Sequence, residues 1–337
     1  MAPLTILQMI NQAQAELGLP QGVSAYTSAA TNTDVQMGAL ANRCLDEMRQ
    51  MRPDTWTAMQ SEFNLIVNPP TDTTGDMPAY STQINNIPAG VLAAANIQPN
   101  FWQVAGPGIP VAARVASVNL SSNSITMTME NSNPEPLTGQ SVQFMQDTYA
   151  MPADFDFYTN RTMWDRTNRW ELLGPDSPQL DQWHRSGIVA TGPRRHWRQI
   201  GAFANQFRIW PAPAEITAPL QLVFEYSSIC AVAVHGQDAD TNPISTFAQY
   251  FQNDDDTPLL NAQAIIMGIK WMFWEVKGFG SYVTLQNRWV DYVNRLIARD
   301  GAAPTLPMVN RTNPIFVSAA NVVDGFFPGN VGSNQGV

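Results

Sequence analysis

"AIIMGIKWMFWEV" (residues 264–276) is the stretch on which the fold turns. Its apolar residues run almost all the way round a helix, with only Lys270 and Glu275 charged. Such a helix cannot lie on a surface with one dry face and must be enclosed by several neighbours. "DDDTPLL" (254–260) predicts its start, with Thr257 as N-cap and Pro258 at the first helical position, and Gly278 predicts its end. On that reading Asp254, Asp255 and Asp256 complement the helix dipole, since the run lacks the glycine and distal glutamate of an EF-hand loop.

The neighbours come from both ends of the chain. Residues 281–299 carry Tyr282, Leu285, Trp289, Val293 and Leu296 as one stripe and finish in Arg295, Arg299 and Gly301. Residues 3–17 place Leu4, Leu7, Ile10 and Leu17 on one face before Gly18 and Pro20. Residues 33–52 repeat Met37, Ala41, Cys44, Met48 and Met51, with Asp34 at the start and Pro53 beyond the end. Two N-terminal and two C-terminal helices predict an antiparallel helical bundle.

The middle predicts strands: "FNLIV" (63–67), "NQFRIWP" (205–211) and "LQLVFEYSS" (220–228), the last alternating Leu222, Phe224 and Tyr226. Between residues 68 and 146 proline, glycine, serine and asparagine rise, and Arg114 is the only basic residue. There "GPGIP" (106–110) is a turn, and Val118 and Leu120 precede an SSNS turn followed by Ile125, Met127 and Met129, the pattern of a hairpin. The expected fold is therefore α+β. Residues 1–67 and 147–303 form its core, 68–146 an inserted β-module dispensable for folding, and 304–337 an extended tail. That tail has almost no charge yet holds Phe316, Phe326 and Phe327, so it is expected to lie on a partner.

Composition narrows the function. The 337 residues carry a net charge of −10, which repels nucleic acid and anionic membranes. Only 14% of residues are charged, against the usual quarter, which suits surfaces that touch other protein. No basic leader and no long apolar run predict a protein that neither spans nor enters a membrane. Cys44 and Cys230 share no motif, and Cys44 falls on an apolar stripe as a core residue. The three histidines (His184, His196, His235) have no mutual metal-ligand spacing, and no phosphate loop or nucleophile motif appears. No enzyme, metal or cofactor is indicated, although Asp165 and Glu171 could be imagined as a glycosidase pair among tryptophans.

The anomaly is "RTMWDRTNRWELLGPDSP" (161–178). From Arg161 to Trp210 lie eight of the 18 basic residues, all arginine, and five of the ten tryptophans. The whole chain has only two lysines, Lys270 and Lys277. Arginine offers a planar five-donor fork and stacks on aromatic faces, so exclusive arginine use points to specific pairing. Three uses stay open. Arg161, Arg166, Arg169, Arg194, Arg195 and Arg198, with Trp164 and Trp170, could bridge subunits. They could instead brace one domain against Asp165, Glu171 and Asp176, or Arg194, Arg195 and Arg198 with Trp197 could hold nucleic acid.

The run 149–213, from "YAMPADFDFYTNRTMW" to "FRIWPAP", resembles the head-to-tail adaptors of short-tailed bacteriophages. "FEYSS" (224–228), "DDDTPLL", "GIKWMFWEVKGFGSY" (268–282) and the opening "LTILQMINQAQAELGLP" extend the resemblance over nearly everything outside 68–146 and the tail. The insert departs from the family pattern and resembles small β-modules of phage tail proteins. The resemblance implies a non-enzymatic virion protein at the portal vertex. It would form a homo-oligomeric ring of twelve below the portal protein, contact a tail nozzle protein and fibres or another peripheral tail protein, and pass DNA without binding it specifically. Its C-terminal segment would reach the portal through Phe316, Phe326 and Phe327.

Overall fold

The computed structural model describes residues 3–52, 56–186, 195–201, 205–235 and 246–300. Arg194 and the segment holding Phe316, Phe326 and Phe327 lie outside the described residues. The α-helices are α1 (Ile6–Leu17), α2 (Asn32–Met51), α3 (Val91–Ala94), α4 (Pro178–Arg185), α5 (Ala262–Val276) and α6 (Tyr282–Arg299), and they combine with antiparallel sheets in an α+β fold. None of the described helices is long and apolar enough to cross a membrane.

Local chemistry sets the helix ends. Thr31 and Asp34 form a reciprocal capping box at the start of α2, and Thr5 and Gln8 do the same for α1. Gly18 closes α1 in the left-handed region at φ 71°, where a side chain would add strain. Helices α1, α2, α5 and α6 share one core that includes Met9, Ile10, Met37, Cys44, Met48, Ile265, Ile269, Trp271, Trp289 and Val293. The enclosed surface of α5 is the reason: eight of its residues are buried. Gly268 lets α5 come against Cys44 of α2, where any Cβ would collide with the sulfur. Burial pushes the Cys44 thiol pKa up, which keeps it a neutral core residue. The ring of Trp289 lies 5.5 Å from that of Trp271, and its Nε1 donates to the Ala264 carbonyl at 2.9 Å.

Two expectations are corrected here. The helix near residue 257 begins instead at Ala262, with Asn261 as N-cap, and Thr257–Pro258 is a short strand paired with Val232–Val234. The acidic run is a clasp rather than dipole charge. The Asp254 carboxylate accepts from Ser24 Oγ and from the Ala25 and Tyr26 amides, while buried Asp256 accepts from the Gln252, Asn253 and His235 amides. The backbone carbonyls of Asp254 and Asp256 also take the Leu7 and Ile6 amides, two first-turn donors of α1 that lack intrahelical partners. The buried stripe of α1 accordingly runs through Ile6, Met9, Ile10, Ala13 and Gln14, and Leu4 is exposed. Gln14 is buried because its amide donates to Asp34 at 2.5 Å and its carbonyl accepts from the Gly22 amide at 3.1 Å.

The second core is β-sheet. Gln60–Val67 pairs along its whole length with Leu220–Ser228, which also pairs with Phe155–Tyr158 and Trp164–Asp165; Trp170–Glu171 forms the outer edge. Gln206–Trp210 lies between His196–Ile200 and Thr148–Ala150. Leu222, Phe224 and Tyr226 share this core with Phe207 and Trp197.

Residues 77–144 contribute a third core, among them Met77, Trp102, Ile125, Met127 and Phe144. Thr71 stands opposite Phe144, so the insert's entry and exit strands leave the frame side by side. Insert and frame nevertheless belong to one compact unit. The Arg114 guanidinium donates to the Asp147 carboxylate, to the Asn100 carbonyl and to Thr148 Oγ1 (3.0 Å), and Gln103 Nε2 adds a bond to Asp147 at 2.5 Å. Asp147 is fully buried. The lone base of the insert thus neutralises a carboxylate of the frame in a dry junction.

Candidate functional site

The arginine–tryptophan region divides into an inner and an outer set. Burial pattern along the strand His196–Ile200 sends Trp197 into the sheet core and leaves His196 and Arg198 on the opposite face. Helix α4 lies against that face. Ser177 caps it and Pro178 opens it, and the spacing Asp181, His184, Arg185 puts all three on one side. Arg198 pairs with Asp181 at 3.0 Å, with Arg185 at 3.8 Å and Arg208 at 3.9 Å from the same carboxylate. Burial, then the nearby Arg114 and Arg185 charges, pull the Arg208 pKa down to about 10. The Arg185 guanidinium also stacks over the Trp210 ring at 5.8 Å and donates to the Ala112 carbonyl of the insert at 3.4 Å.

Arg195 likewise turns inward, donating to the Pro211 carbonyl at 2.9 Å, and burial lowers its pKa. Arg195 and Arg198 therefore brace a single chain, but through Pro211 and Asp181 rather than through the carboxylates singled out in the sequence. Asp165 is buried and closes its own turn, accepting from the Thr167 and Asn168 amides at 2.9 Å each and from Asn168 Nδ2 at 2.8 Å. Asp165 and Glu171 do share a cavity, with Trp170 and Arg195, but it measures about 30 Å³. That is room for roughly two waters, not a sugar ring. Trp197 is 4% exposed and meets Tyr158 edge-on at 4.9 Å, so no base can stack on it.

The outer set is Arg161, Arg166, Arg169 and Trp170, all exposed, with Trp164 half-buried behind them. Arg166 reaches Glu62 at 3.0 Å, an exposed pair worth about 0–1 kcal/mol. Arg161 and Arg169 have no ion-pair or hydrogen-bond partner among the described residues. Both adopt left-handed backbone at φ 61°, a conformation that costs a non-glycine residue on the order of 1 kcal/mol. Glycine or asparagine would fill those turns at lower cost.

A third group was missed in the sequence. Asp176, His184 and His196 come from a loop, a helix and a strand, and one ligand atom of each lies within 4.8 Å of the other two. His184 is 8% exposed with both ring nitrogens lacking a hydrogen-bond partner, although an unsatisfied buried polar group costs about 1–3 kcal/mol. No short-range spacing could have revealed this set, because α4 and the strand at His196 meet only through tertiary packing. No protein-family model matches this chain, and no curated protein matches it.

Proposed function

We propose that this protein is a non-enzymatic head-to-tail adaptor of a short-tailed bacteriophage, assembling as a ring of twelve below the portal and continuing the DNA conduit toward a nozzle. In this proposal α1, α2, α5 and α6 form an antiparallel bundle, the insert 68–146 docks fibres or another peripheral tail protein, and the segment 304–337 meets the portal through Phe316, Phe326 and Phe327. The resemblance of residues 149–213 and the flanking motifs supplies the family. An acidic wall suits a conduit, because each phosphate contact with Lys or Arg would add affinity and drag.

The observation that carries the assembly part is the outer arginine set. Arg166 and Arg169 lie in the turn that leads from Trp164–Asp165 to the edge strand Trp170–Glu171, and Arg161 lies in the turn before Trp164; Arg161 and Arg169 take left-handed backbone and have no partner among the described residues. Arginine and tryptophan together are the residues enriched at interface hot spots. Ring closure needs a second, different face on each subunit. The turn between α5 and α6 offers one, with Val276, Phe279 and Val283 each about half exposed.

The test is a triple variant, Arg161→Gly, Arg166→Ala and Arg169→Gly. Glycine relieves the two left-handed positions, so the melting temperature of the monomer should hold or rise slightly. Light scattering with portal protein present should show the large oligomer lost. A triple variant that still assembles, or a monomer that melts several degrees lower, would return these arginines to an intrachain role.

A further inference from the structure

We propose that Asp176, His184 and His196 form a binding site for a transition-metal dication of the zinc type, pinning α4 to the sheet. This inference rests on the fold alone and stands whether or not the protein is an adaptor.

The donor set has the right chemistry. Two imidazoles and one carboxylate favour zinc and its neighbours in the transition series over Mg²⁺ or Ca²⁺, which prefer all-oxygen sites. Spacing fits as well. Zinc bonds of roughly 2.0–2.1 Å at tetrahedral angles put neighbouring ligand atoms about 3.3–3.4 Å apart. His196 Nδ1 lies 3.3 Å from Asp176 Oδ2, and His184 Nε2 lies 3.9 Å from the same oxygen. The widest separation, 4.8 Å at most, closes with a small rotation of one ring. The His184 and His196 rings already lie with their centroids 4.2 Å apart.

Two unsatisfied demands converge there. The Asp176 side chain is 6% exposed, and among the described residues its only hydrogen-bond partner is the His196 ring. The nearby cations do not serve it: Arg185 and Arg198 face Asp181, and Arg195 donates to the Pro211 carbonyl. His184 contributes a buried imidazole with neither nitrogen paired. One dication answers both needs, by compensating the carboxylate and accepting a lone pair from His184. His196 is the most open of the three, with 19% of its side chain exposed, so a fourth, water-filled coordination position belongs on its side.

The full-length protein, stripped with a chelator and then titrated with Zn²⁺, should retain one zinc per chain after gel filtration, undiminished by excess Mg²⁺. Co²⁺ should give the visible absorption of a four-coordinate site and quench Trp183, whose ring lies 5.2 Å from that of His184. His184→Gln and His196→Gln should each weaken uptake by about tenfold or more, while His235→Gln leaves it unchanged. Wild-type protein that retains no zinc overturns the proposal without any variant. So does zinc retained equally by His184→Gln and His196→Gln, which would place the metal elsewhere.

Discussion

Replacing Arg114 by methionine should be among the most damaging single changes in this chain, and the reason lies across the junction in Asp147. That carboxylate is 0% exposed. Without the guanidinium its hydrogen-bond donors among the described residues are neutral, Gln103 Nε2 at 2.5 Å and Thr148 Oγ1 at 2.8 Å, with the Arg185 and Arg208 charges acting only from farther off. Removing one partner of a buried ion pair costs about 3–5 kcal/mol, because the other charge stays desolvated. For a unit of this size each kcal/mol shifts the melting temperature by roughly 1.5–2 °C, so a fall of about 5–10 °C is expected. Replacing both partners by neutral groups of similar size is often harmless, so Arg114→Met with Asp147→Asn should recover most of the loss. Urea unfolding of the parent, both single variants and the double variant gives the coupling energy directly. A loss below about 1 kcal/mol for Arg114→Met, with no recovery in the double variant, would refute the buried-pair account. The same logic modifies the expectation that residues 68–146 are dispensable. Replacing them with a short Gly/Ser linker removes Arg114, Gln103 and the Phe101 carbonyl that accepts from the Asp147 and Thr148 amides. That deletion should fold poorly in the parent and better with Asp147→Asn.

Gly268→Ala should destabilise by about 1–3 kcal/mol despite the better helix propensity of alanine, because the new methyl collides with Cys44 Sγ; adding Cys44→Ala should recover part of the loss in melting temperature, since Cys44 Cβ and Trp289 Nε1 stay close. Asp34 sits in a buried site that by itself would raise its pKa, but hydrogen bonds from Thr31 and Gln14 outweigh this and hold it below the usual carboxylate value. A depressed folded-state pKa stabilises above the unfolded value of 3.8 and is lost as pH falls through the folded one. Asp34→Asn should therefore flatten the decline in stability below about pH 4, and acid titrations followed by circular dichroism would show an unchanged slope if the account is wrong.

Features written within a few residues of one another are legible in the chain before it folds. The stripe Met37, Ala41, Cys44 and Met48 lies in the helical core, and Leu222, Phe224 and Tyr226 lie in the sheet core, because side-chain direction follows backbone period. Gly18 ends α1, since a left-handed C-cap is a local steric fact. The antiparallel hairpin places Val118 opposite Ile125, as its alternation and turn residues require. Tertiary structure decided the rest, wherever a side chain's partner lies far along the chain. Asp254 looks like helix-start charge until Ser24, Ala25 and Tyr26 arrive to use it, and Gln14 joins the buried stripe of α1 because Asp34, twenty residues on, takes its amide. The arginines from 161 to 208 are uniform in sequence, yet packing of α4 on the sheet turns Arg185, Arg198 and Arg208 toward Asp181 and leaves Arg161 and Arg169 exposed. That same docking brings His184 beside His196 and Asp176. Charge pairing and metal ligation act over a few ångströms in space, and only the fold fixes which residues come that close.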